Sequence, residues 1–306
     1  MLPFLLRRLL QLIPVIWGVG TLVFLLLHIV PGDPVEIMLG DSALAVNKDA
    51  LRAQLHLDRP LPVQYAIFWK SVATGDLGTS FISKRPVARL VAERAPATFK
   101  LAFFALLCAV LLAIPLGVLS ACFRDGPLDH LTLAFTMLGA AMPNFWLGPL
   151  MMLLFSVKLG WLPVSGNAGP SNYVLPAITL GLGMSCVLTR MVRTTMAEVL
   201  KNDYITTARA KGLGWSAIYL KHALKNALIP VITILALQLG GLLAGAVITE
   251  TIFDWPGLGE LVYRGIQGRD FPLVQGCLLV IAATYVAANT IADIAYTFAN
   301  PRIDAR

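Results

Sequence analysis

Apolar residues fall in six long runs, separated by polar or Gly/Pro-marked stretches: about 9–30, 99–122, 131–157, 173–192, 228–253 and 273–298. The first run holds 22 residues without a formal charge. As a helix it would reach about 33 Å, enough to cross a bilayer. Arg7 and Arg8 precede it in the manner of a signal peptide. The apolar part is too long for one, however, and Val30-Pro31-Gly32 offers no small-x-small cleavage site, so an uncleaved first span is expected. The pattern predicts an all-α polytopic membrane protein with six transmembrane helices.

Composition supports this pattern. The chain is 57% hydrophobic and 13% charged, with a mean hydropathy of +0.75, whereas a soluble domain carries roughly a quarter charged residues. The net charge of +7 is spread between apolar runs rather than along one face. It therefore fits lipid headgroups and topology, and no nucleic-acid partner is expected. Cys108, Cys122, Cys186 and Cys277 fall in or beside apolar runs without a CxxC pair and read as small buried residues. His28, His56, His130 and His222 are scattered, so no metal site is expected within the chain.

Residues 190–227 carry seven Lys/Arg against two acids, Arg7 and Arg8 flank the first span, and Arg302 and Arg306 lie in the tail. With six spans these segments share one side, which the positive-inside rule makes cytoplasmic, with both termini. Residues 31–98 then face outward. In them, Pro31-Gly32-Asp33-Pro34 ends the first helix, and an aromatic stretch at 63–69 precedes a turn at Gly75-Asp76. A small folded or surface-lying subdomain is expected there. The domain division is 1–94 for the first span with the outward segment and 95–300 for the core, with an inward loop at about 193–227.

Within that loop lies "DYITTARAKGLGW", polar and basic between apolar runs. Asp203 suits an N-cap, Tyr204 to Lys211 has no breaker, and Gly212 suits the left-handed residue past a helix end. Arg209 and Lys211 in the last turn complement the helix dipole. After Gly214, Ser216 can cap a second helix over 217–228, and Pro230 stands at the entrance of the fifth span. A short helix between glycines has a shape suited to docking. The alternative is a basic surface helix resting on anionic lipid.

No P-loop, HExxH or GxSxG occurs, so no enzyme chemistry and no nucleotide site of the chain's own are expected. Gly240, Gly241, Ala244 and Gly245 form a small-xxx-small pattern that serves either intramolecular packing or a seam with a second subunit lining a pathway. Pro143 and Asn144 either break the third span and expose carbonyls to a path or mark a tolerated kink. Glu250 and Asp293 are acids near the ends of apolar runs, where structural pairing is the simpler reading. Glu250 is expected near the outer edge, within reach of solvent. A secondary transporter would place acids at mid-span and pair its broken helices; a membrane anchor that transports nothing is a second alternative.

"DYITTARAKGLGW…KHALKNALIPVIT" resembles the cytoplasmic coupling loop of ABC-type importer permeases, in the dipeptide, oligopeptide and nickel branch. The resemblance continues in "PGDP" at 31–34, "LDRPLPVQY" at 57–65, "GDLGTSF" at 75–81, "MPNFWLG" at 142–148 and "LGWLPVSG" at 159–166. "ITETIFDWPGLG" at 248–259, "RDFPLVQG" at 269–276 and "NPRID" at 300–304 extend it over nearly the whole chain. One departure stands out. Thr206-Thr207-Ala208 occupies the place of the general Glu-Ala-Ala, and Pro230 comes five residues late.

The resemblance implies the type I ABC importer permease architecture and an inner-membrane location in a bacterial cell. It implies that Asp203, Tyr204, Thr207, Ala208, Arg209, Ala210, Lys211, Gly212 and Leu213 dock into a cleft on an ATPase subunit. Small Ala208, Ala210 and Gly212 would allow close approach, Tyr204 would anchor, and Arg209 and Lys211 would meet acids. Pro143, Asn144, Gly241, Gly245 and Glu250 are the candidates for the translocation path or subunit interface. The implied partners are a second homologous permease forming a heterodimer, two ATPase subunits that bind ATP and Mg, an extracytoplasmic substrate-binding protein, and the lipid bilayer. The chain itself needs no cofactor. Peptides are the first expected cargo and chelated nickel the alternative.

Overall fold

The computed structural model describes residues 2–29, 35–36 and 45–299, and in it the six apolar runs are mainly helical, the third with a break. In chain order the helices are α1 (Leu2–Ile29), α2 (Ala45–Gln54), α3 (Leu61–Thr74), α4 (Val87–Cys122), α5 (Pro127–Ala141) and α6 (Asn144–Met151). They continue with α7 (Val174–Val199), α8 (Asp203–Ala210), α9 (Leu224–Ile252), α10 (Leu258–Gln267) and α11 (Phe271–Ala299). Wide π-helical turns extend α6 over Met152–Lys158 and precede α9 over Ala217–Ala223, and a 3-10 turn at Pro170–Tyr173 leads into α7. The Pro31–Pro34 motif lies outside the described residues.

Among the described residues four helices are long and apolar enough to cross a membrane, or five if a bent pair counts as one. Shorter apolar helical stretches at Leu12–Leu25 and Gly240–Ile252 lie within α1 and α9. The bent pair is the predicted third span. Its two arms, Pro127–Ala141 and Asn144–Lys158, meet at 106°. The cause is local: a residue before proline is pushed out of the helical region. Met142 (φ −85°, ψ 114°) and Pro143 (φ −66°, ψ 144°) are both extended. The apolar run breaks there rather than kinking.

The chain divides into two compact units. One comprises Thr98–Trp255 and the residues from Ala287 onward. Its centre is α7, two thirds of whose membrane-crossing stretch is buried, with α5, α6 and α9 packed around it. Small residues set the spacing. A Cβ on Gly181 would lie 2.5 Å from the Ala105 carbonyl oxygen, and one on Gly139 would lie 2.6 Å from Cys186 Sγ. Cys186 and Cys277 are buried as expected, Cys108 and Cys122 are half-buried, and all four are free thiols.

The other unit comprises Leu2–Ala97 and Pro256–Val286. The segment expected to face outward carries α2 and α3 among its described residues. Phe24 of α1 meets the rings of Tyr65 and Phe68 on α3, at 5.2 and 5.5 Å between centroids. Thr21 Oγ1 and Tyr65 Oη are hydrogen-bonded at 2.7 Å. As the sequence predicts, α3 stops at Gly75, which is left-handed at φ 76°. Val87, Leu90 and Val91 of α4 form an apolar cluster with Leu258, Leu261 and Leu273. The charged residues ahead of position 99 hid this early start of α4. They are accommodated by ion pairs, Glu93 with Arg85 at 2.5 Å and with Arg89 at 3.3 Å.

Buried Asp270 fastens the unit. Its carboxylate accepts hydrogen bonds from Ser80 Oγ (2.6 Å) and from the backbone N–H groups of Phe81 (3.1 Å), Ile82 (3.2 Å) and Leu273 (3.3 Å). Thus the "GDLGTSF" and "RDFPLVQG" motifs meet. A carboxylate removed from water is tolerable where donors converge on it in this way.

Candidate functional site

The segment after α7 forms the short helix the sequence predicts, displaced by one residue. Asn202 holds the N-cap position in extended backbone (ψ 148°), and Asp203 is the first helical residue. The cap side chain makes no hydrogen bond, and Asp203 contributes its charge to the first turn instead. At the other end Lys211 is the C-cap and Gly212 is left-handed at φ 73°. Leu213 N–H donates to the Ala208 carbonyl (3.3 Å) and Gly212 N–H to that of Arg209 (2.9 Å). These are the two bonds of a Schellman motif, which satisfy carbonyls a helix end leaves open.

One stripe of α8 turns inward. Ile205 is fully buried, and Ala208 follows three residues later, 7% exposed. Ala208 is therefore part of the helix's seat rather than its outer face, a correction to the reading of it as a residue of close approach: its i+3 spacing from Ile205 places both on the same side. Asp203, Tyr204, Thr207, Arg209, Ala210, Lys211, Gly212 and Leu213 are all exposed. Tyr204 Oη accepts a hydrogen bond from Asn226 Nδ2 at 2.8 Å, which ties α8 to the base of α9. Thr207 Oγ1 donates to the Asp203 carbonyl at 3.0 Å. Trp215, half exposed, stacks on Tyr219 with ring centroids 4.8 Å apart.

Ser216 already has helical backbone and makes no cap bond. The next helix begins at Trp215, and Ile218 N–H reaches the Gly214 carbonyl at 3.2 Å. Pro230 lies inside α9 rather than at its entrance.

A buried ion pair holds α7, the helix that leads into this segment. Asp129 in the first turn of α5 is 1% exposed, and its carboxylate is gripped by the Arg193 guanidinium through Nε (2.6 Å) and Nη2 (2.7 Å). Ser120 Oγ also donates to it, as does Asp125 N–H at 2.9 Å. Two parallel bonds hold a guanidinium in a fixed orientation. Arg193 lies on α7, which ends four residues before α8 begins. The sequence reading missed this pair; the only signals were an acid just inside a helix start and an arginine in a buried span.

Two of the five expected path residues share a cavity. Asn144, at the start of α6, and Gly241 of α9 border one cavity of about 330 Å³, with Met184 of α7 and Gln238 of α9. Pro143 is exposed beside Asn144. Gly245 is on α9, but its surroundings lie outside the described residues, as does the Asp293 side chain on α11. Glu250 is not reached by solvent. It is fully buried, and Thr98 Oγ1 donates to its carboxylate at 2.6 Å. The correction is physical: near the end of a span a carboxylate can turn inward when a hydroxyl and other partners meet it. Gln238, which the sequence reading passed over, is a polar side chain within an apolar span, and that was its signal.

Several helices of membrane-crossing length, one broken span and a short exposed helix between two of them describe a polytopic membrane protein. The comparisons place it more closely. Residues 113–305 match the family described as binding-protein-dependent transport system inner membrane component, and residues 1–102 match the N-terminal family of the same membrane components. The chain is 42% identical to the glutathione transport system permease protein of Pectobacterium atrosepticum, over 99% of both chains. It is 38% identical to the dipeptide transport system permease protein of Alkalihalophilus pseudofirmus, again over 99% of each. Two inward facing structures of the methionine ABC transporter MetNI share the fold at TM-scores of 0.59 and 0.60, with 19% identity, covering 69% of this chain and 96% of the matched chain. This chain belongs to the binding-protein-dependent transport system inner membrane components: it is a permease subunit of an ABC importer, multi-pass in the inner membrane.

Proposed function

We propose that this chain is one half of a heterodimeric peptide permease, served outside by a substrate-binding protein and inside by two ATPase subunits. ATP and Mg are bound by those ATPases, and the chain itself has no cofactor and no hydrolytic site. The single observation that carries the coupling role is the exposed face of α8. Tyr204, Arg209, Lys211 and Leu213 stand outward while Ile205 and Ala208 seat the helix. That arrangement suits a cleft with acidic walls, because it offers an aromatic anchor, two cations and a glycine corner to a partner. Closure of the ATPases moves α8, and the Arg193–Asp129 grip transmits the motion into α5 and α7. Peptide cargo is supported by the glutathione and dipeptide systems named for the relatives.

The termini and residues 193–227 face the cytoplasm in this reading, on the Lys/Arg excess of those flanks. A cysteine at Ser71, in a background without native cysteines, is then labelled by an impermeant thiol reagent in intact spheroplasts, and one at Lys201 is not. The reverse pattern overturns the orientation. For the function, deleting the gene abolishes ATP-dependent uptake of labelled dipeptide or glutathione, and a plasmid copy restores it. Undiminished uptake of both in the deletion strain contradicts the reading.

A further inference from the structure

The cavity beside Asn144 carries an unmet polar requirement. Gln238 lines it, and the Nε2 of that side chain is buried without a hydrogen-bond partner. Buried donors are nearly always satisfied, so one left open at a cavity wall points to something that comes and goes. Asn144 brings a second carboxamide to the same space. The remaining lining is uncharged and mostly apolar, with Leu180, Met184 and Leu242. Gly183 and Gly241 leave the wall open, because a Cβ at either would meet nothing within 4 Å.

We propose that this cavity is a subsite that reads the peptide backbone of the cargo, with Gln238 and Asn144 exchanging hydrogen bonds with one peptide group. The inference rests on the peptide reading above and deepens it. A carboxamide presents one donor end and one acceptor end, and so does a peptide bond. The match holds whichever way each amide is turned. Neutral pairs bind less tightly than charge-assisted ones, which suits a cargo that must also leave. At about 330 Å³ the space is at the small end of ligand clefts, enough for a peptide unit with a small side chain. Leucine and the adaptable Met184 accept apolar side chains without selecting among them. Recognition of the backbone alone gives a path that passes many sequences.

The test uses the complete importer in proteoliposomes, with partner permease, ATPases and saturating loaded binding protein, so that passage rather than capture limits the rate. Trialanine is compared with an analogue whose two peptide groups are both replaced by esters, which have no N–H and are weaker acceptors. The wild type should move trialanine roughly three- to tenfold faster, and Gln238→Leu should bring that ratio near one. An unchanged ratio in Gln238→Leu overturns the subsite. Should that variant fail to copurify with its ATPases, Gly183→Leu serves instead, since it adds bulk at an open wall where a Cβ meets nothing within 4 Å. It should slow trialanine more than dialanine, and equal effects overturn the proposal. A wild-type importer that moves no peptide at all overturns the peptide reading itself. One that moves peptide and ester equally overturns only the subsite.

Discussion

At the scale of single residues, the groups that fasten this molecule find partners far along the chain. Asp129 and Arg193 are 64 positions apart, Thr98 and Glu250 152, and Ser80 and Asp270 190. None of these pairings is legible in sequence, because a periodicity or a cap signal reports on neighbours only. Glu250 shows the consequence: its place near a span end suggested solvent, whereas Thr98 meets it in the interior. The Asp129–Arg193 pair makes a clear prediction. Removing one partner leaves a charge buried without compensation, at a cost of about 3–5 kcal/mol, whereas replacing both by apolar residues is often close to neutral. Arg193→Leu and Asp129→Leu should each lower the unfolding midpoint of the detergent-solubilised complex. The double variant should recover much of the loss. Strictly additive losses would show that the two side chains do not act as a pair.

Elements were legible where their cause is local. The extended Met142-Pro143 break, the left-handed Gly75 and the left-handed Gly212 all follow from what proline and glycine permit. The extent of α4 was not, because charged turns before position 99 look like loop until their ion pairs are seen. The seat of α8 was half legible: its length and its stop were read, but the burial of Ala208 depended on packing.

For Gly212 a discriminating prediction follows. A Cβ there would touch nothing of this chain within 4 Å, so the first carbon of a side chain meets only the cost of the left-handed backbone, about 1–2 kcal/mol. Gly212→Asp should insert in the membrane at normal levels yet transport poorly, with ATPase subunits that dissociate or hydrolyse without moving cargo. Gly212→Asn, which tolerates this backbone, should be milder than Gly212→Val. Wild-type uptake by Gly212→Asp would refute docking through this corner.

For the molecule as a whole, the all-helical class and the positions of the apolar runs were evident from hydropathy. The return of residues 256–286 to the N-terminal unit was not, since nothing local marks it. Each unit is held by its own means, α7 and its glycine contacts in one, the aromatic cluster and Asp270 in the other. The central claim is that this chain passes peptides only as part of an ATP-driven assembly. The direct measurement is labelled dipeptide trapped in proteoliposomes, against ATP hydrolysed, as components are added singly. Uptake should require both permeases, the ATPases, loaded binding protein and ATP together, and should ignore an imposed proton gradient. Accumulation by this chain alone, driven by such a gradient without ATP, would contradict the account.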